Sequence, residues 1–90
     1  MIDVSTLQFR TTINSLDIEV YEPVIILKPD LVFLGQRVRV DSFTKIEGGR
    51  GVRIGAFTHV ASFAHLNIGG GELEIGQYCG IASGVRVITG

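Results

Sequence analysis

The chain has 90 residues, a formal net charge of −1 and 46% hydrophobic residues, against 19% charged. The even balance of 8 basic and 9 acidic residues argues against a nucleic-acid binder, which normally carries a basic excess. One cysteine, Cys79, excludes an internal disulfide and fits a cytoplasmic setting, and no apolar run approaches the ~20 residues of a membrane-spanning helix.

Residues 1–19 show no repeat phase and read as an irregular N-terminal cap segment. From Val20 onward an aliphatic residue recurs at Val20, Ile26, Leu34, Val40, Ile46, Ile54, Val60, Leu66, Ile75, Ile81 and Val87. The steps are mostly six residues, with a longer step of eight or nine once every three. A helix would space apolar residues by three and four instead. In a short strand, alternate side chains face opposite ways. If these anchors point inward, so do the residues two before them: Val24, Val32, Val38, Thr44, Val52, Thr58, Ala64, Leu73, Cys79 and Val85. All are small or aliphatic. The residues between include Arg39, Lys45, Arg53, His59, His65, Glu74 and Arg86, which suit an outer face.

Three steps make one triangular coil, and coils stack at about 4.8 Å. Residues 20–90 therefore read as an all-β parallel β-helix domain of about three and a half coils. The longer steps fall at one corner, in the glycine-rich stretches Gly48-Gly49-Arg50-Gly51 and Gly69-Gly70-Gly71. No lysine-serine or lysine-threonine pair follows them, so they read as corner loops rather than phosphate loops. Gly35, Gly55 and Gly76 stack at another corner and are expected to supply positive φ there. Phe43 with Phe63, and Phe57 with Tyr78, are expected to form two aromatic ladders. The last coil stops at Gly90 without the residues that would finish its third side, so the sequence reads as a fragment or as a coil on which something stacks.

The strings Val38-Arg-Val-Asp-Ser-Phe, His59-Val-Ala-Ser-Phe and Gly80-Ile-Ala-Ser-Gly-Val-Arg-Val, with the recurring Ile-Gly start, resemble the bacterial hexapeptide-repeat acyltransferases. The sugar O-acetyltransferases and their polysaccharide relatives are most similar in pattern, over roughly residues 20–90. The resemblance implies a left-handed coil, a homotrimer, acetyl-CoA as co-substrate, and a sugar or sugar-nucleotide acceptor. It also implies a histidine general base, because the attacking hydroxyl or amine must lose a proton near neutral pH. In many such enzymes that histidine follows a coil like the third one here, whereas this chain has no histidine after His65. The base then lies beyond Gly90, or is His59 or His65, or the chain is not catalytic by itself.

His59 is expected between Arg39 and Gly80 on one outer face, and His65 in a column with Ile25, Lys45 and Arg86 on the next. Either can equally be a surface or interface histidine. Lys45 and Arg86 form a basic strip suited to the phosphates of CoA, or else plain solvated charge. Cys79 reads as a small core residue, and Asp41 as a turn residue. No spacing suggests a metal site. Two other classes remain: a β-helical trimerisation module without an active site, and a nucleotidyltransferase tail or a carbonic-anhydrase-like protein. The last needs three histidines at an interface, and the chain has two.

Overall fold

A computed structural model describes residues 1–6 and 16–90; the stretch 7–15 of the expected N-terminal cap lies outside the described residues. The strands are short: β1 (Ile2–Asp3), β2 (Glu19–Val20), β3 (Ile25–Leu27), β4 (Val32–Leu34), β5 (Arg39–Val40), β6 (Lys45–Glu47), β7 (Val52–Ile54), β8 (His59–Val60), β9 (His65–Asn67), β10 (Leu73–Ile75), β11 (Gly80–Ile81) and β12 (Arg86–Ile88). They form three four-stranded sheets, ordered β1-β4-β7-β10, β2-β5-β8-β11 and β3-β6-β9-β12. All pairings are parallel except β1 with β4. Each strand thus pairs with the strand one coil away, and the chain is a β-solenoid of about 4 turns. Among the described residues there is no α-helix, and no helix is long and apolar enough to cross a membrane.

The expected columns are the observed ones. Leu34, Ile54 and Ile75 stand in register, as do Val40, Val60 and Ile81, and Ile46, Leu66 and Val87. Leu34, Val40, Ile46, Ile54, Val60 and Leu66 are fully buried. Ile75, Ile81 and Val87, in the last layer, are only partly buried. The interior is apolar because alternate strand residues must fill a narrow prism at near-crystalline packing density. Among the described residues the two buried polar side chains in it, Thr44 and Thr58, are satisfied. Thr44 donates to the carbonyl of Ala61 and Thr58 to that of Gly76, while Thr58 Oγ1 also accepts from the Cys79 N–H. At the other end Val4 and Ile18 join the same core, beside the antiparallel pairing of β1.

The corners differ from expectation in one respect. Gly35, Gly55 and Gly76 do not have positive φ; two residues further on, Arg37, Phe57 and Tyr78 do, at 56°, 61° and 57°. Gly35 and Gly55 answer to close approach instead, whereas a Cβ on Gly76, in the last layer, would meet only the Cys79 Sγ at 3.9 Å. A Cβ on Gly55 would lie 2.7 Å from the carbonyl carbon of Gly76, and one on Gly35 would lie 2.8 Å from the Ala56 nitrogen. The long corner after β6 and β9 holds the glycine-rich loops as expected, tied between coils by Gly48 N–H to Leu27 O at 2.8 Å and Arg50 N–H to Gly71 O at 2.9 Å. Ile68 of the second loop is fully buried and fills the prism there.

Candidate functional site

Two outer faces carry the histidines, each where strand alternation sends it. On the first face, His59 of β8 stands in register with Arg39 of β5 and Gly80 of β11. Asp41, just past β5, points out on the same face as Arg39. It lies diagonally across from His59, a distance that side chains on one sheet face can span. Its Oδ2 is 2.7 Å from His59 Nε2, and its Oδ1 is 3.1 Å from Arg39 Nε. The Arg39 Nη2 is 2.8 Å from the same His59 Nε2 and 3.5 Å from Nδ1.

A guanidinium only donates and a carboxylate only accepts, so the two close contacts at Nε2 are alternatives. With the ring proton on Nε2, His59 donates to Asp41, and Arg39 keeps the other carboxylate oxygen. Nδ1 then has the Arg39 Nη2 as its neighbour, at 3.5 Å, longer than an ordinary hydrogen bond. The Asp41 carboxylate thus orients the ring. Nearby, the Tyr21 hydroxyl donates to the Glu19 carboxylate. That hydrogen bond, then desolvation and the Glu19 charge, hold the phenol above its usual 10.0.

The second face holds Ile25, Lys45, His65 and Arg86 in one register column. Arg86 Nη1 lies 3.3 Å from His65 Nδ1, so Nδ1 accepts and the ring proton belongs on Nε2. Lys45 Nζ is 3.7 Å from Glu47 Oε1, a half-exposed pair that contributes little to stability. His65 thus has a cation at its ring, whereas His59 has both a carboxylate and a cation.

Beside this second face runs one aromatic ladder. Phe43 and Phe63 stack with ring centroids 5.3 Å apart and planes within 8°. The other ladder, Phe57 and Tyr78, stacks at 5.1 Å and 4°. Phe43 and Phe63 both have positive φ, 67° and 66°, and both are more than half exposed. That backbone region costs a non-glycine residue about 1–2 kcal/mol. A stacked pair adds about 0.5–1.5 kcal/mol beyond its buried area. The stack therefore offsets part of the strain of the two residues, not all of it. Between the ladder and the basic column lies a cavity of about 310 Å³, lined by Pro23, Ile25, Phe43, Thr44, Lys45, Phe63 and His65.

The four residues that the sequence singled out thus divide between two faces: His59 alone on one, and Lys45, His65 and Arg86 together on the other. The sequence reading placed Arg39 beside His59 but took Asp41 for a turn residue and missed that it closes on His59. The available signal was the diagonal placement of an outward carboxylate one coil away. Cys79 is inward-facing but only half-buried, because it sits in the last layer. Among the described residues no group of three or more His, Cys, Asp or Glu side chains is placed to hold a metal ion. Comparison with family models, with curated proteins and with solved structures gives no match.

Proposed function

We propose that the chain is a left-handed β-helix of the hexapeptide-repeat acyltransferase type, cytoplasmic and trimeric, transferring an acetyl group from acetyl-CoA to a sugar hydroxyl or amine. The observation that carries this reading is the 2.7 Å contact between His59 Nε2 and Asp41 Oδ2. It supports His59, rather than His65, as the general base. Nδ1 of His59 removes the proton as the sugar oxygen or nitrogen attacks the thioester carbonyl. The carbon–sulfur bond then breaks, and the thiolate leaves with a proton to give free CoA. Asp41 keeps the imidazolium oriented and charge-balanced through the transfer. In His65 the corresponding lone pair, on Nδ1, faces Arg86 at 3.3 Å, closer than Arg39 stands to Nδ1 of His59. Lys45 and Arg86 suit the CoA phosphates, being cationic, outward-facing and in one column. The six-residue period and the β-solenoid support the family assignment at the level of scaffold.

The test is titration of the chain with acetyl-CoA, followed by thiol release in the presence of a panel of sugars. We expect saturable binding and turnover. His59→Ala should lower kcat/KM by roughly 10²–10⁴, the usual worth of a general base. His65→Ala should cost less than about tenfold. A folded chain that binds no acetyl-CoA, or a His59→Ala variant with unchanged turnover, overturns the proposal.

A further inference from the structure

The cavity beside Phe43 and Phe63 has a chemical character of its own. One wall is the edge of the aromatic ladder together with Pro23 and Ile25; the other carries Lys45 and His65. Pro23, Phe43, Phe63 and Gly84 are successive rungs of one corner, each two residues before a member of the Ile25–Lys45–His65–Arg86 column. At Gly84 the backbone also has positive φ, 78°, and nothing lies within 4 Å of where a Cβ would sit. The fourth rung thus has the residue that this backbone favours, and it leaves the groove open toward Arg86. The second and third rungs carry phenylalanine despite the same backbone, and their stacking does not fully offset the strain. Positive φ recurs at another corner, in Arg37, Phe57 and Tyr78, so what sets this corner apart is the cavity it borders beside Lys45 and His65.

We infer that this groove binds a small planar aromatic ring bearing an anionic group such as a phosphate. The ring packs against Phe43, Phe63, Pro23 and Ile25. The anion meets the Lys45 ammonium and the Nε2–H of His65, which is a donor because Nδ1 accepts from Arg86 at 3.3 Å. The volume, about 310 Å³, is at the lower end for small-molecule sites and fits one ring with its substituent. Charge complementarity selects the anion: the column presents the cations Lys45 and Arg86 and the N–H of His65, while Glu47 holds Lys45 at 3.7 Å. The inference does not rest on acyl transfer, since its readout is binding with no acyl donor present.

Phenyl phosphate is the probe, with phenol (ring without charge) and inorganic phosphate (charge without ring) as controls. Amide shifts of the full chain are followed by ¹⁵N–¹H NMR. We expect saturation by phenyl phosphate at or below about 5 mM, the affinity reachable by a ligand of that size. The shifts should centre on Phe43, Lys45, Phe63 and His65, and each control should bind at least about tenfold more weakly. Phe63→Gly, which repeats the native Gly84 rung, and Lys45→Gln should each weaken binding by about fivefold or more. Inorganic phosphate binding as well as phenyl phosphate would overturn the inference, as would shifts centred elsewhere, or affinity unchanged in both variants. Shifts of the same residues on raising protein concentration alone would also overturn it, assigning the groove to a second copy of the chain.

Discussion

Gly55 and Gly80 are both glycines in register columns, yet they answer to different constraints. A Cβ on Gly55 would meet the Gly76 backbone, with the carbonyl oxygen at 2.8 Å, whereas a Cβ on Gly80 would meet nothing within 4 Å. Backbone cannot rotate away as a flexible side chain can, so the coils would have to separate locally. Gly55→Ala should therefore cost about 1–3 kcal/mol, the usual range for overpacking. Gly80→Ala lies in a strand, where alanine is the better residue, and should leave stability within about 0.5 kcal/mol or raise it. Urea unfolding of the two variants distinguishes them; equal midpoints would show that close approach is not why Gly55 is glycine. The reason for such a glycine is hard to read in a sequence. The recurrence of Gly35, Gly55 and Gly76 marks a corner, but recurrence does not separate a positive φ from a tight interlayer contact. The positive φ falls instead on Arg37, Phe57 and Tyr78, whose side chains gave no hint of it. Likewise the register of His59 with Arg39 follows from period alone, whereas the reach of Asp41 to His59 depends on rotamers.

Strands of two or three residues would not survive singly, and here each is held by its place in a column. The central strands, β4 to β9, are paired on both sides, and Val32, Val52 and Ile54 are fully buried there. Strands β10, β11 and β12 pair on one side only, and their anchors are correspondingly half-buried. In a repeat of this kind, stability is close to a sum of layer terms and neighbour terms. Ile54→Ala removes side-chain volume flanked in register by Leu34 and Ile75, and should cost about 2–5 kcal/mol. Val87→Ala removes less volume from a position with one stacked neighbour, and should cost less than half as much. Denaturant midpoints measure both, and a Val87→Ala loss as large as that of Ile54→Ala would contradict the layered account. The elements themselves were legible because the fold writes its period into the chain. The inward–outward alternation sorts Val and Ile from Arg, Lys and His without any contact information. The antiparallel pairing of Ile2 and Asp3 with β4 was not legible, because residues 1–19 share no period with the coils.

The whole molecule exposes 5084 Å². A compact monomer of 9.7 kDa exposes about 5,100 Å², so the amount of surface is ordinary. Its chemistry is less so. Tyr21, Leu27, Phe57, Tyr78 and Ile88 are all large, apolar or aromatic, and well exposed, on more than one face and corner of the prism. Scattered single exposures need no explanation, but columns bring neighbours together: Phe57 and Tyr78 stack on successive coils, while Leu27 and Ile88 stand at the two ends of a column with Glu47 and Asn67 between them. A prism has three flat faces, and packing such faces around a threefold axis buries apolar strips without unwinding any coil. We therefore expect sedimentation equilibrium of the chain to give a mass about three times 9.7 kDa. Tyr78→Lys with Leu27→Lys should lower that mass while leaving the far-ultraviolet spectrum unchanged, because both side chains already face outward. A monomer at about 100 μM would mean that the exposed apolar columns do not drive assembly, and would separate the trimer from the scaffold, which depends only on the buried anchors.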